Sequence, residues 1–354
     1  YEIQASDWSS DVCSSDLISS IEESFARELK DSDYIIIDKN VFNLFNEKLL
    51  NIINNKRKIL IDASEKQKSY QELIPIINSL IDSGFKKNHR LVAIGGGITQ
   101  DVTAFIASIL YRGIEWIFYP TTLLSQGDSC IGSKTSINFG EYKNQIGGFY
   151  PPHSIFIDTS LLSTLKDSEI KSGFGEMCHY FIISGKSDFD FFNSSYKEFG
   201  KNRSVLNSII YRSLEIKKSY AEIDEFDKNE RQVFNYGHSF GHAIESLTNY
   251  EIPHGIAVAF GMDISNFISV KLGYLDEGTR SEIRDLLSLI WEGYTIRNLS
   301  VDKMLNALSK DKKNEGSKLG LILNKGYGKI FKSLTNVDEK FKIWLTDYFN
   351  NETN

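Results

Sequence analysis

Short apolar runs alternate with amphipathic segments in the first half of the chain. Five runs rich in β-branched and aromatic residues have the composition of buried strands, and they lie at 34–38, 58–62, 91–94, 116–119 and 155–158. Between the second and third runs, a helical stripe is formed by Leu73, Ile76, Ile77, Leu80 and Ile81. This alternation predicts a parallel sheet in an α/β domain.

After about residue 160 the pattern changes to helical periodicity, which continues to Leu308. Two short apolar runs, near Leu319–Leu323 and Ile330, predict a small hairpin around Asn324-Lys325-Gly326. A chain of 354 residues is long enough for two domains. We therefore expect an α/β domain over 18–160 and a mostly helical domain over 161–354, with the functional cleft between them.

The segment at 1–17 starts without Met and lacks the basic and apolar regions of a signal peptide, so we expect an artefact or a disordered stretch. With 41% hydrophobic and 25% charged residues, the chain has the composition of a soluble globular protein. Its net charge of -7 argues against a nucleic-acid partner. No apolar run predicts a membrane helix. Three scattered cysteines without a CxxC pair favour a cytoplasmic location.

A glycine-rich turn, Gly95-Gly96-Gly97, follows the third predicted strand and leads into a predicted helix. Glycines there let backbone amides approach a diphosphate, and a helix N-terminus favours its negative charge. The turn is not GxGxxG, and an ordinary tight turn is an equal alternative. Asp62, at the end of an earlier strand, is a candidate for a ribose hydroxyl, although a cap or turn role is the stronger alternative.

Three of the six histidines are His238, His242 and His254. His238 and His242 are four residues apart, so a helix places them on one face, within reach of one ion or one substrate. The alternative is a pair of buried, hydrogen-bonded imidazoles. Glu176, at the start of a predicted helix, could add a carboxylate, although such a glutamate often only complements the helix dipole. Two histidines and a glutamate leave the open positions that a catalytic zinc requires.

A glycine-rich, loop-like segment follows Pro120 and contains Asp128, Lys134 and Lys143. Lysines near glycines can bind a phosphate, whereas a lone loop lysine is usually solvated. A nucleotide loop, these lysines and a metal cluster together favour a nicotinamide enzyme that acts on a phosphorylated polyol.

Further motifs occur in a fixed order along residues 30 to 335. They include Gly95-Gly96-Gly97-Ile98, Tyr111-Arg112-Gly113, Pro120-Thr121-Thr122-Leu123-Leu124, Asn235-Tyr236-Gly237-His238, Gly241-His242-Ala243-Ile244-Glu245 and Asp311-Lys312-Lys313. In the identity and order of these motifs, the chain resembles the 3-dehydroquinate synthase family of the sugar-phosphate cyclases. The resemblance implies a homodimer, with an α/β NAD-binding N-terminal domain built on a parallel sheet and a mostly α-helical, metal-binding C-terminal domain.

The resemblance also implies residue roles. Zinc or cobalt would be held by Glu176, His238 and His254, with His242 contacting the substrate instead. Together with Asp62, the expected NAD set is Glu65, Lys68, Gly95, Gly96, Gly97, Asp101, Thr121, Thr122, Lys143 and Thr164. The expected substrate set is Arg112, Lys134, Lys143, Asn144, Lys217, Arg231, Asn235, His242 and Lys312, with Arg112 reaching across the dimer. The expected catalytic set is Asp128, Lys134, His179, Asn235 and His242.

The implied activity converts 3-deoxy-arabino-heptulosonate 7-phosphate to 3-dehydroquinate and phosphate in the shikimate pathway. Transient oxidation by NAD, phosphate elimination, re-reduction and intramolecular aldol closure make the enzyme a carbon-oxygen lyase. Three positions depart from the family pattern, namely Gly127, Ser133 and His179, the last standing where the family has lysine. The alternatives are a specialised cyclase of secondary or polysaccharide metabolism, a metal-dependent polyol dehydrogenase and a non-catalytic descendant. Lys217, Arg231 and Lys312 retain the positive charge that would hold a substrate carboxylate, so they favour the carboxylated substrate over an uncharged sugar phosphate.

Overall fold

The computed structural model describes residues 21–45, 53, 56–140, 142–297, 299–310, 313–316 and 318–352. The chain divides after Leu165 into two compact units. The segment 1–17 and the expected substrate residue Lys312 lie outside the described residues.

A five-stranded parallel sheet forms the centre of the first unit. The strands are β1 (Tyr34–Asp38), β2 (Arg57–Ile61), β3 (Leu91–Gly95), β4 (Trp116–Pro120) and β7 (Ser154–Ile155). They lie side by side in the order β2-β1-β3-β4-β7. All residues of β3 and β4 are buried, which is why these strands appear in the sequence as continuous apolar runs. The predicted parallel α/β sheet is confirmed, although β7 is shorter than the run at 155–158.

Helices accompany this sheet: α1 (Ile21–Glu28), α2 (Lys39–Leu44), α3 (Tyr70–Asp82) and α4 (Gly97–Ile109). In α3 the buried positions are Leu73, Ile76 and Leu80, whereas Ile81 is exposed, so the apolar stripe is narrower than predicted. Phe25 of α1 packs edge-on against Tyr119 of β4 with ring centroids 4.4 Å apart. Because α4 begins directly after β3, its N-terminus lies at the carboxyl edge of the sheet.

The glycine-rich segment after residue 133 is an antiparallel hairpin, so the predicted loop there is wrong. Its strands are β5 (Lys134–Phe139) and β6 (Tyr142–Phe149). Gly147 has a φ of 158°, and a Cβ there would lie 1.6 Å from the carbonyl oxygen of Thr135. At this position glycine allows two strands to approach closely rather than making a flexible loop.

The second unit is mostly helical, and it also contains the predicted hairpin. Its helices are α5 (Asp167–Ser184), α6 (Lys186–Phe199), α7 (Val205–Ile223), α8 (His238–Leu247), α9 (His254–Lys271), α10 (Glu277–Ile290), α11 (Val301–Ser309) and α12 (Glu339–Asn351). The hairpin pairs β8 (Lys318–Asn324) with β9 (Ile330–Asn336) in antiparallel register. Helix α9 is buried from Gly255 to Ser269, which makes it the central element of this unit. In the described part of the chain, every helix is too short or too polar to cross a membrane.

Candidate active site

Three side chains from three helices of the second unit converge on one point. Glu176 Oε1 is 3.2 Å from His238 Nε2, and Glu176 Oε2 is 3.3 Å from His254 Nε2. These candidate ligand atoms all lie within 4.8 Å of one another. Glu176 lies well inside α5 rather than at a helix start, so the predicted position at a helix N-terminus is wrong. One carboxylate and two imidazoles fit a divalent metal with open coordination positions.

Glycines explain how the helices come close enough to bring these side chains together. A Cβ at Gly255 would lie 1.8 Å from the carbonyl oxygen of Ser172, and one at Gly175 would lie 2.1 Å from that of Gly255. The backbones of α5 and α9 are therefore in direct contact, which places Glu176 beside His254. A Cβ at Gly261 would lie 2.0 Å from the carbonyl oxygen of Gly237, so α9 also touches the residue before His238.

The second nitrogen of each imidazole also has a partner. His238 Nδ1 lies 3.3 Å from the carbonyl oxygen of Tyr236, and His254 Nδ1 lies 3.0 Å from Glu245 Oε2. Each ring is thereby turned so that Nε2 faces Glu176. Hydrogen bonds of this kind are usual for histidines that bind metals, because they select the tautomer and the ring orientation.

The charge of Glu176 suits a metal ligand. Burial alone would raise the pKa of Glu176, but His238 and His254 lower that pKa well below its ordinary value. Burial would lower the pKa of His254, whereas its contacts with Glu176 and Glu245 raise that pKa well above its ordinary value. Glu176 is therefore ionised near neutral pH, as a carboxylate ligand must be.

Two further histidines adjoin the three candidate ligand residues. The His242 ring lies 5.5 Å from that of His238 and 5.6 Å from that of His254, and the side chain is exposed. The His179 ring is fully buried and lies 5.5 Å from that of His238. His242, Glu245 and His254 form a second group with ligand-like spacing, which shares His254 with the first. Glu245 was not selected from the sequence, where only its separation from His254 by nine residues could have suggested it.

Three predicted substrate residues of the second unit lie on α7 and on the 3₁₀ helix Glu230–Asn235. Lys217 is buried, with its ammonium 5.9 Å from the centre of the Tyr180 ring. Arg231 is buried and donates from Nη1 to the carbonyl of Glu225 at 2.9 Å. Asn235 donates from Nδ2 to the carbonyl of Gln232 at 3.1 Å.

Ring contacts connect these predicted substrate residues to the histidines. The Phe234 ring lies 4.6 Å from Tyr180 and 5.8 Å from His179. Because Phe234 lies between Arg231 and Asn235 in sequence, their 3₁₀ helix packs beside His179. The part of the predicted substrate set that is described in this unit therefore adjoins the candidate metal ligands.

In the first unit, the glycine turn begins α4 with Gly96 as its N-terminal cap. A Cβ at Gly95 would lie 2.3 Å from Thr99 Oγ1, and one at Gly96 would lie 2.9 Å from Thr122 Cγ2. The backbone amide of Thr121 donates to the carbonyl of Gly95 at 3.0 Å. The turn and the threonines are thus packed together, with the α4 amides at the carboxyl edge of the sheet.

A polar network gathers four predicted cofactor residues in the same unit. Lys68 Nζ lies 2.6 Å from Asp101 Oδ2, and Lys143 Nζ lies 3.6 Å from Glu65 Oε1. Asn138 joins them by donating from Nδ2 to Glu65 Oε1 at 2.8 Å. Burial raises the pKa of Asp101 against the opposing charge of Lys68. Asn138 was missed in the sequence because its partners are distant along the chain.

The other predicted residues of this unit are more scattered. Asp62 follows β2 and is exposed, with Lys39 Nζ at 3.8 Å. Asp128 is buried in a π-helical turn, Ser125–Ser129. Lys134 starts β5 with an exposed side chain, and Thr164 ends a 3₁₀ helix. Arg112 and Asn144 have left-handed backbone, with φ of 65° and 54°, and exposed side chains.

Solved structures show which fold the chain has. A 2-deoxy-scyllo-inosose synthase, solved with carbaglucose-6-phosphate, NAD+ and Co2+, matches with a TM-score of 0.81 at 24% identity, covering 96% of each chain. A 2-epi-5-epi-valiolone synthase from Streptomyces hygroscopicus subsp. jinggangensis 5008, solved with NAD+ and Zn2+, has a TM-score of 0.83 at 23% identity, covering 97% of this chain and 98% of the other. The chain therefore shares the fold of these two synthases.

Sequence comparison defines the family. A family model of the 3-dehydroquinate synthase N-terminal region matches residues 58–172, and a model of the C-terminal region matches residues 173–314. A 3-dehydroquinate synthase from Dictyoglomus thermophilum is 36% identical over 326 residues, which cover 90% of each protein. The chain belongs to the 3-dehydroquinate synthase family, as the sequence motifs predicted.

Proposed function

We propose that this protein converts 3-deoxy-arabino-heptulosonate 7-phosphate to 3-dehydroquinate and phosphate, with NAD and a divalent metal. The observation that carries the proposal is the convergence of Glu176, His238 and His254 in a chain of this family. Support for the cofactors comes from the NAD+ with Co2+ or Zn2+ in the two solved cyclases. The enzyme would be a carbon-oxygen lyase, since phosphate is eliminated and NADH is oxidised back to NAD within each cycle.

The protein's own part is to hold the metal, orient the substrate and move protons. When bound, the metal would polarise a substrate hydroxyl and NAD would accept and return a hydride. Glu176 and the Nε2 atoms of His238 and His254 would provide three ligands. His242 would contact the substrate through a neutral ring, because loss of solvation and the neighbouring histidines His238 and His254 lower its pKa to about 3. His179 packs behind His238 and would help to hold that ligand in place.

For NAD, the proposed diphosphate site is the amide edge formed by Gly95, Gly96 and Gly97 at the start of α4. Asp62 follows β2 at the same carboxyl edge of the parallel sheet, where a ribose could reach it. The other proposed contacts are Glu65, Lys68, Asp101, Thr121, Thr122, Lys143 and Thr164. The close and mostly buried ion pair between Lys68 and Asp101 holds these two side chains in one arrangement.

For the substrate, the proposed contacts include the buried cations of the second unit. Lys217 and Arg231 carry the charge that a carboxylate requires, and both are buried, Lys217 beside the ring of Tyr180. The other proposed contacts are Arg112, Asp128, Lys134, Lys143, Asn144, Asn235 and Lys312. We further propose a cytoplasmic homodimer in which Arg112 reaches the phosphate of the neighbouring protomer.

Phosphate release tests the proposal. The purified chain with NAD and Co2+ should release phosphate from the heptulosonate phosphate and not from sedoheptulose 7-phosphate. His238→Ala should abolish phosphate release. His153→Ala removes an exposed imidazole that is distant in sequence from His238, and it should leave phosphate release unchanged. Release only from sedoheptulose 7-phosphate would support the specialised cyclase instead. Steady accumulation of NADH with a polyol would support a dehydrogenase.

A further inference from the structure

We propose that Glu245 is a positioning residue that holds His254 in the orientation and tautomer required for a metal bond through Nε2. Its carboxylate lies at the end of α8 and its Oε2 is 3.0 Å from His254 Nδ1. His254 uses its other nitrogen, Nε2, toward Glu176 at 3.3 Å. The two carboxylates therefore contact the two nitrogens of one imidazole. Only Nε2 faces Glu176 and can bind a metal together with Glu176 and His238. This inference rests on the metal site proposed above.

The backbone between the two helices brings the pair together. Tyr250 donates its amide to the carbonyl of Glu245 at 2.8 Å, and Asn249 and Tyr250 have left-handed φ of 51° and 62°. The chain thus reverses tightly after α8, and His254 begins α9 beside the Glu245 side chain. At this point the Glu245 side chain is 14% exposed and the His254 side chain is 32% exposed, so water competes weakly for their hydrogen bond.

The chemistry of imidazole explains the effect. A neutral ring carries one proton, and the nitrogen without it is the ligand. A carboxylate beside Nδ1 accepts a hydrogen bond from the Nδ1–H group, so the proton stays on Nδ1. The lone pair on Nε2 is then directed at the metal. It also raises the basicity of the ring, and loss of such a partner typically weakens metal affinity about 10- to 100-fold.

Cobalt binding to the full-length, metal-depleted chain tests this role. We expect Glu245→Ala to weaken Co2+ affinity about 10- to 100-fold, measured by competition with a chelator, and to change the visible absorption of the bound ion. Glu245→Gln keeps the side-chain shape and a neutral acceptor, so its fall in Co2+ affinity should be clearly smaller. Glu251→Gln removes the same charge from an exposed residue of the connection, and it should bind Co2+ like the unchanged protein.

Several results would overturn the role of Glu245. Unchanged affinity and absorption in Glu245→Ala, with thermal unfolding of the metal-free variant unchanged, would show that the hydrogen bond does not act on the metal. Equal losses in Glu245→Ala and Glu245→Gln would show that only charge matters. Two Co2+ ions per chain, one of which is lost in Glu245→Ala, would make Glu245 a ligand of a second ion with His242 and His254. Failure of the unchanged protein to bind Co2+ would instead overturn the proposed function.

Discussion

The contact between α5 and α9 predicts that Gly255→Ala removes the metal centre. The added Cβ would lie 1.8 Å from the carbonyl oxygen of Ser172 and 2.9 Å from the backbone nitrogen of Glu176, whereas real Cβ atoms keep at least 3.0 Å. The obstacle is backbone, so the helices must separate by about 1.2 Å to reach even that limit. A metal site tolerates errors of only about 0.2 Å in its bonds. Glu176 would therefore no longer share an ion with His254.

The assay is Co2+ binding by the full-length variant, measured by chelator competition beside thermal unfolding. We expect affinity to fall at least about 100-fold, because a first ligand is displaced, and stability to fall by about 1–3 kcal/mol from overpacking. Gly200→Ala is the matched control, since Gly200 has an ordinary φ of -60° and open space around its Cβ position. A folded Gly255→Ala protein with unchanged Co2+ affinity would refute the reasoning.

Three other predictions follow from buried polar contacts. Lys68→Met leaves the Asp101 carboxylate without its ion pair, so it should destabilise the protein by about 2 kcal/mol and raise the Kd for NAD, measured by unfolding and by titration. Burial opposes ionisation of Asp224, but hydrogen bonds from three backbone amides lower its pKa. The ionised carboxylate therefore stabilises the protein above pH 4, and this stability is lost as acid protonates it. Asp224→Asn should remove this contribution, so the free energy of unfolding of the variant should be lower above pH 4 and should fall less in acid. Asn324→Leu removes two donated bonds, to Tyr236 and Asn266, and should cost about 2 kcal/mol in denaturant unfolding, whereas an unchanged midpoint would contradict a structural role.

The local pattern was sufficient for the elements that bury both faces. The apolar runs at 91–94 and 116–119 predict strands because each residue there is enclosed by the sheet and its covering helices. The pattern failed between 134 and 149, where glycines suggested a loop. In that segment glycine serves strand pairing at Gly147, and the partner that requires it is Thr135, which local composition does not identify.

The sequence by itself determined the chemistry available at the site. It supplied three imidazoles near 238–254, and family motifs selected Glu176, His238 and His254 from the candidates. Spacing alone favoured His238 with His242, since neighbours on one helix are the only pairs that periodicity can identify.

Only the tertiary structure decided which atoms meet. The Gly175–Gly255 contact joins α5 to α9, and it brings Glu176 to His254 across 78 residues of chain. The same packing gives Glu245 its place behind His254. Such contacts depend on the absence of a Cβ at the point where two helices cross, and that requirement becomes visible only when both backbones are present.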